Sequence, residues 1–271
     1  MQSTRQSQQL LWQARCLDKW KFHDIRHRGL VLCNPMNEEK FEKLCQLFRL
    51  KQGERVLDIA CGKGEFLVRL AELYGITGVG VDISPYCIEE SLERKRNRVP
   101  NSHIEFMEMD GAEYKPESND SFDLATCIGA SWVFGGYRGT LRFLKRMTKP
   151  GGLMAVGEPF WLKEPREEYL KVENLKKEQF GTHCENVNVG EEEGLTCLYT
   201  IVSSHDDWDH YETFQWWAVD TYVRTNPEDP DNQELLEKTR REKESYLHWG
   251  RDALGWAIYV FRKPWLVNST Q

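Results

Sequence analysis

The sequence lacks a hydrophobic run that could cross a membrane, since none approaches the roughly 18 residues that a span requires. Its first residues, MQSTRQSQQLLWQ, lack the apolar centre of a secretory signal. We therefore expect a cytoplasmic protein with no membrane partner.

Paired cysteine motifs are also missing. The eight cysteines form no CxxC pair and lie mostly inside apolar segments, at positions 16, 33, 45, 61, 87, 127, 184 and 197. This arrangement predicts reduced thiols of a cytosolic protein and excludes a disulfide framework.

Long blocks of basic residues are missing too. The chain carries 36 Lys and Arg against 43 Asp and Glu, with a net charge of −7. The balance argues against a nucleic-acid partner and favours a small-molecule substrate. It gives no indication of an oligomeric state.

What the sequence does contain, from Arg55 to Glu158, is an alternation of short β-type runs with helical ones. The predicted strands are 55–60, 78–83, 103–108, 122–128 and 153–158, followed by 196–203 and 255–263. This rhythm predicts a doubly wound α/β sheet covered by helices.

Two further pieces interrupt that rhythm. Residues 1–50 have a helical pattern, and residues 204–250 form an aromatic, charged insertion. We therefore divide the chain into an N-terminal cap segment (1–50), a core (51–203 and 251–265) and a cap or lid insertion (204–250). Ligands of open α/β sheets bind at the carboxyl ends of the strands, so we expect the cap to cover a site there.

The stretch RVLDIACGKGEF contains a glycine turn that matches neither common phosphate-binding motif. Lys63 is not followed by Ser or Thr, as a P-loop requires, and Leu67 stands where a dinucleotide fingerprint has its third glycine. What remains is Asp58, Ala60, Gly62 and Gly64, in which the acid would repel a pyrophosphate. A positively charged ligand fits better, and S-adenosylmethionine has both a sulfonium and an ammonium.

Two more acids follow neighbouring predicted strands. Asp82 ends the second strand, where a carboxylate can accept both ribose hydroxyls, and Asp110 ends the third, where it can accept from the adenine amino group. Three consecutive strand ends with one acid each are a more specific signal than any one of them.

In this order the motifs VLDIACGKG, GVDIS, MDGAEY, FDLATCIGAS and LKRMTKPGGLMAVGEP resemble the class I S-adenosylmethionine-dependent methyltransferases. The likeness is greatest to the small-molecule branch called methyltransferase type 11 and its uncharacterised bacterial members, over about residues 40–160. It implies a seven-stranded Rossmann-like sheet in the order 3-2-1-4-5-7-6, with GWAIYVFRK as the antiparallel last strand. It also implies in-line transfer of a methyl group from S-adenosylmethionine to a small molecule.

The same resemblance implies cofactor contacts from nine residues, namely Asp58, Ala60, Gly62, Asp82, Ile83, Asp110, Gly111, Ile128 and Gly129. The first three would hold the methionine part, the next two the ribose and adenine, and Asp110 and Gly111 the adenine. The last two would meet the amino-acid part. Many family members have glycine in place of Ala60, and we expect the small alanine to be tolerated.

Candidates on the acceptor side are Glu158, at the end of the fifth strand, and the two histidines of HDIRH, His23 and His27. Each could hold or move a proton, although a purely structural role is open for all three. The His pair has metal-ligand spacing, but the sequence offers no third ligand, so we expect no metal. The aromatic residues of HDDWDHYETFQWW favour packing of the cap over a cage for a cation.

Other function classes stay open. An RNA or protein methyltransferase is one alternative, although IGASW replaces the [N/D/S]-P-P-aromatic turn of base N-methylating enzymes. The other is a regulator that binds S-adenosylmethionine without catalysis.

Overall fold

The computed structural model describes residues 18–116 and 118–265, and part of the helical pattern expected for residues 1–50 lies outside these ranges. Seven strands form one sheet: β1 Arg55–Ile59, β2 Thr77–Asp82, β3 His103–Glu108, β4 Phe122–Ile128, β5 Thr148–Trp161, β6 Thr196–Val202 and β7 Leu254–Arg262. Their order is 3-2-1-4-5-7-6, and β7 is antiparallel to both of its neighbours. The predicted fold class and strand order are confirmed.

Ten helices accompany the strands in these ranges: α1 Lys19–His27, α2 Glu38–Leu47, α3 Glu65–Tyr74, α4 Pro85–Arg98, α5 Tyr137–Met147, α6 Glu167–Val172, α7 His183–Glu192, α8 His205–Thr225, α9 Asn232–Ser245 and α10 Arg251–Ala253. A single π-helical turn, Tyr246–Gly250, joins the last two. Among the residues described, no helix combines the length and apolarity of a membrane span. The seven cysteines in these ranges are all free thiols, in agreement with the prediction.

The fifth strand begins earlier than the sequence pattern indicates. Thr148 pairs with Phe122, but the next pair is Leu153 with Leu124, so the intervening KPGG segment bulges out of register. Gly151 adopts a φ of +77° there, which an L side chain rarely tolerates. Residues 149–152 are thus a bulge within the strand.

Alternation along the strands divides the core into two layers. Val56, on β1, packs with residues of α2 and α3 on one face of the sheet. Leu57 packs with residues of α5 on the other face. Because side chains alternate with a period of two, Asp58 falls on the same face as Val56. The layer that contains α2 and α3 is therefore the one that receives the strand-end carboxylate.

Helix α1, which precedes the first strand, packs against α8 and α9, which lie between the last two strands. Phe22 and Ile25 of α1 form a buried cluster with Val219 of α8 and Leu235 of α9. Segments almost 200 residues apart in sequence therefore lie together beside the strand ends. The proposed boundaries of core and cap remain a prediction.

Candidate active site

A cavity of about 460 Å³ lies at the carboxyl ends of β1, β2, β3 and β4, beside α1 and α8. All nine residues predicted to contact the cofactor line it, as do His23 and His27. Glu158 does not. The sequence pattern therefore correctly grouped residues at the ends of four neighbouring strands, but misplaced one proposed catalytic group.

The Asp82 side chain fixes the glycine turn by binding backbone N–H groups. One carboxylate oxygen accepts the Gly62 N–H at 2.8 Å, and the other accepts the Ser84 N–H at 2.8 Å. Gly62 and Gly64 have φ values of +53° and +70°, and a Cβ at Gly64 would lie 2.7 Å from the Phe106 ring. The turn is therefore tightly fixed, and glycine is required at position 64 by both conformation and space.

Asp58 is a buried carboxylate at the floor of the cavity. It accepts a hydrogen bond of 2.7 Å from the Thr126 hydroxyl. Burial raises its pKa to about 7, and the nearby charge of Asp82 adds to that effect, whereas the Thr126 bond opposes it. A cationic group bound here would favour the charged carboxylate, which is the property that an ammonium site needs.

The adenine end of the predicted site has apolar and polar parts. The Ile83 side chain lines the cavity and is 42% exposed, which leaves an apolar surface free for a ligand ring. Asp110 is exposed and accepts from the Ala112 N–H at 2.9 Å. Gly111 is buried, and a Cβ there would lie 2.7 Å from Ile59. An alanine at position 111 would therefore narrow the cavity or displace β1.

Gly129 leaves β4 with a φ of +86° and comes very close to a residue that sequence analysis missed. A Cβ at this glycine would lie only 2.4 Å from the Asn34 side-chain oxygen. Asn34 belongs to the loop between α1 and α2 and also lines the cavity. Asn34 thus lies at the end of the fourth strand, although it precedes Gly129 by 95 residues in sequence.

Lys63 was considered in the sequence only as a possible phosphate ligand. The structure gives it other partners, and its side chain is only 4% exposed. Its Nζ donates a 2.8 Å hydrogen bond to the His27 carbonyl and lies 2.9 Å from the Glu90 carboxylate. Its long side chain therefore links the glycine turn to the end of α1.

His27 has a structural environment that disfavours proton transfer. Its Nδ1 lies 2.8 Å from the His23 carbonyl and its Nε2 lies 2.8 Å from the Tyr211 hydroxyl. Burial lowers the pKa of His27 well below its usual value. Both ring nitrogens of His27 are thus already hydrogen-bonded within the protein, and its assignment as a candidate catalytic residue stays a prediction.

The structure does supply a third potential metal ligand, since atoms of His23, His27 and Cys33 lie within 4.8 Å of one another. However, the two imidazoles are stacked, with centroids 4.1 Å apart and planes 27° apart. Ligand lone pairs lie in the ring planes, so those of stacked rings run side by side and do not converge on one ion. We propose no metal site there.

Glu158 lies on the opposite face of the sheet. Its neighbour Gly157 faces Trp256 of the cofactor cavity, and alternation along β5 turns Glu158 the other way. There it lines a second cavity, accepts from the Ser131 side chain, and has a pKa raised by burial to about 7. The expectation that Glu158 faces the methyl-transfer region is therefore corrected.

Helix α8 contributes a further set of cavity-lining residues that the sequence analysis did not assign. Trp208, Tyr211, Glu212 and Gln215 follow one another at i, i+3, i+4 and i+7, and all line the cavity from α8. That spacing places them on one face of the helix, and it was visible in the sequence. Trp216 and Trp217 do not line it: Trp216 contacts Tyr246, and Trp217 is 67% exposed.

Comparisons with known proteins agree with this geometry. A family model described as a methyltransferase domain matches residues 50–222. The chain belongs to the class I S-adenosylmethionine-dependent methyltransferases.

Individual relatives of this methyltransferase give the same result. It is 30% identical over 229 residues to the uncharacterized protein YjhP of Escherichia coli (strain K12), a match that covers 84% of this chain and 92% of that protein. A methyltransferase from Geobacter sulfurreducens, solved with S-adenosyl-L-homocysteine, superposes with a TM-score of 0.83 and 28% identity, over 91% of this chain and 99% of that one. A 27-O-demethylrifamycin SV methyltransferase of Amycolatopsis mediterranei (strain S699) is 27% identical over 117 residues, 43% of each chain.

The residues of the cavity fit this cofactor. A buried carboxylate suits the ammonium, a strand-end carboxylate suits the ribose hydroxyls, and an exposed isoleucine side chain suits the adenine ring. Glycines with positive φ leave the space that a closely approaching ligand needs. The side chains present are therefore compatible with S-adenosylmethionine.

Proposed function

We propose that this enzyme methylates a small-molecule acceptor that binds between the strand ends and α8. The observation that carries the proposal is the composition of one cavity, which is lined both by the nine predicted cofactor residues and by polar side chains of the cap. A cavity of about 460 Å³ that must accommodate donor and acceptor together favours a compact acceptor.

In this proposal the cofactor half of the cavity binds and orients. Asp58 holds the ammonium, Asp82 accepts from the ribose hydroxyls, and Ile83 packs on the adenine. Gly62 and Gly129 present backbone to the ligand at close range. S-adenosylmethionine supplies a methyl group already activated by its positive sulfur, so alignment and exclusion of water are the main tasks of the protein.

A small acceptor is also supported by the position of α1 and α8 beside the strand ends, where they limit access to the cavity. The net charge of −7 and the absence of a basic block favour the same class. Among the relatives, the Amycolatopsis enzyme is named for a small-molecule substrate, 27-O-demethylrifamycin SV.

Two measurements test the proposal. Calorimetric titration with S-adenosylhomocysteine measures binding by the native enzyme. Methyl-labelled cofactor is then incubated with a bacterial extract separated into metabolite, RNA and protein fractions. We expect tight binding and label in the metabolites; label confined to RNA or protein would overturn the small-molecule acceptor. Tight binding with no labelled fraction would favour a regulator.

A further inference from the structure

We propose that Glu212 is the general base of this enzyme and that the acceptor is a small planar ring with an ionisable hydroxyl group and a second hydrogen-bond donor. This inference rests on the proposed function, because it assigns the acceptor half of the same cavity. It is carried by four polar groups that face the cavity from α1 and α8.

Three of these groups have a buried polar atom with no hydrogen-bond partner in the described part of the chain. They are Nδ1 of His23, Nε1 of Trp208 and the side-chain oxygen of Gln215, and all three residues line the cavity. An unsatisfied buried polar atom costs roughly 1–3 kcal/mol. Such atoms gathered around one cavity indicate a ligand that supplies the missing partners.

Gln215 is held in a defined orientation. It is 1% exposed, and its Nε2 donates a 3.1 Å hydrogen bond to the backbone carbonyl of Tyr211, one helical turn earlier. One of the two amide N–H groups is thereby occupied, and the side-chain oxygen is left without a donor. Gln215 therefore selects a ligand with a hydrogen-bond donor, while the indole N–H of Trp208 selects an acceptor atom such as a hydroxyl oxygen.

Helix α8 is anchored firmly enough to position these groups. Its N-cap, Ser204, forms a reciprocal capping box with Asp207. The carboxylate of Asp207 is 3% exposed in its side chain and is also bound by Asn37 and Lys40. The start of α8 is thus joined to Asn37 and to α2. Trp208 lies one helical turn after the N-cap residue, and Glu212 lies two turns after it.

Glu212 is suited to take a proton. It makes no hydrogen bond to the residues described, and burial raises the pKa of its carboxyl group to about 7. Burial lowers the pKa of His23 to about 4, so its imidazole is a much weaker base. Of the two titratable side chains, Glu212 and His23, Glu212 is the one whose pKa matches proton abstraction near neutral pH.

The charges around Glu212 favour a hydroxyl over a charged amine. Arg26, on α1, also lines the cavity, and its positive charge opposes protonation of both Glu212 and His23. Glu242 of α9 and Glu173 act in the opposite direction on Glu212, and Glu242 is paired with Arg26 at 3.0 Å. Of Arg26, Glu242 and Glu173, only Arg26 lines the cavity, so its guanidinium is placed to stabilise an acceptor oxygen that becomes negative.

A planar acceptor is favoured by the walls of the cavity. Indole rings of Trp20, Trp132 and Trp208 line it, and Trp132 is 73% exposed. Flat aromatic surfaces pack best against another ring.

The resulting step is balanced. A lone pair of the acceptor oxygen forms the new O–CH₃ bond while the S–CH₃ bond breaks, and its electron pair stays on sulfur to give the neutral thioether. The hydroxyl proton passes to the Glu212 carboxylate. Water removes that proton after the products leave.

The test uses catechol and hydroquinone as probes, with benzylamine and benzoate for comparison, and follows formation of S-adenosylhomocysteine. We expect transfer to a dihydroxybenzene. Glu212→Gln should lower kcat at least 100-fold and abolish the rise of kcat through pH 7, while S-adenosylhomocysteine binds as before. Glu212→Asp should restore part of the rate. Gln215→Met should raise KM more than it lowers kcat.

The matched control is Glu234→Gln, an exposed carboxylate of α9, which should leave both parameters unchanged. Retention of kcat and of the pH profile by a folded Glu212→Gln enzyme overturns the assignment of the base. Methylation of benzylamine or benzoate but of neither dihydroxybenzene, or of no probe at all, overturns the acceptor class. Failure of the native enzyme to bind S-adenosylhomocysteine would instead refute the proposed function itself.

Discussion

The ammonium nitrogen of Lys63 donates a 2.8 Å hydrogen bond to the backbone carbonyl of His27. Lys63 belongs to the glycine turn after β1, and His27 ends α1. The same ammonium contacts the Leu30 carbonyl at 3.4 Å and the Glu90 carboxylate at 2.9 Å. One buried lysine therefore links the glycine turn, the end of α1 and α4.

Replacing this lysine should lower the stability of the fold. In Lys63→Met the carbonyls of His27 and Leu30 lose a charged donor, whereas Glu90 keeps Arg94 as a partner. We expect a loss of about 1–3 kcal/mol in the free energy of unfolding and faster proteolysis near residue 30. Denaturant titration measures the first, and Lys43→Met, at an exposed position of α2, is the control. Equal stability of the two variants would show that the link contributes nothing.

The two strand-end acids Asp82 and Asp110 should differ in importance. Asp82→Asn places an amide where the backbone N–H groups of Gly62 and Ser84 require acceptors, and it should weaken the proposed ribose contacts. At about 1.5–3 kcal/mol for each charged hydrogen bond, we expect at least a 100-fold loss of affinity for S-adenosylhomocysteine. Asp110→Asn, at an exposed position, should cost less than 10-fold. Calorimetry on both variants checks this ranking, and the reverse order would mean that the ribose contact is misplaced.

Ala60 has a φ of +55°, in a region that costs a residue with a Cβ about 1–2 kcal/mol. Glycine removes that strain but loses more conformational entropy on folding, by about 0.5–1 kcal/mol. We therefore expect Ala60→Gly to raise the free energy of unfolding slightly, by up to about 1 kcal/mol, without changing cofactor affinity. The same substitution inside α3, Ala71→Gly, should lower it. A destabilised Ala60→Gly enzyme would show that the alanine methyl group contributes packing that exceeds the strain.

Binding of the cofactor product should depend on pH through Asp58. Its pKa is raised from 3.8 to about 7 by burial, with Asp82 as the nearby charge. The folded state therefore retains a proton that the unfolded state has lost, so this group's contribution to stability is complete below about pH 4 and is lost as the pH rises through 7. We expect ligand binding to have the opposite trend, because the proposed contact pairs the ligand ammonium with the charged carboxylate.

We expect the affinity for S-adenosylhomocysteine to increase between pH 6 and 8. The affinity for 5′-methylthioadenosine, which lacks the ammonium, should stay nearly constant over that range. Asp58→Asn should remove the difference between the two ligands. A pH dependence that persists in Asp58→Asn would assign the titration to another buried acid, with Glu212 the first to examine.

Much of the cofactor half of the site could be predicted from the sequence. The carboxyl ends of neighbouring parallel strands meet at one edge of the sheet, so acids at the ends of β1, β2 and β3 had to converge once those strands were recognised. The glycines of the turn could be recognised for the same local reason, since only small residues with free φ permit that backbone path. These features depend on short-range patterns, which are present in the local sequence.

The acceptor half could not be derived in this way. Glu158 was expected at the cavity because it ends a strand, but which face it occupies depends on the register of β5 against β4 and β7. The roles of Lys63 and Asn34 depend on contacts with segments about 30 and 95 residues away, to which no local pattern refers.

By itself the sequence determined the α/β sheet, the order of its motifs and the cofactor turn, because these follow from periodicity and from the conformational freedom of glycine. Only the tertiary structure decided which polar groups face the acceptor. Glu212 and Gln215 share one face of α8 by their spacing, but the docking of that helix against α1, through the buried cluster of Phe22, Ile25 and Val219, turns this face toward the strand ends. Long-range packing, which no single helix encodes, fixed that orientation.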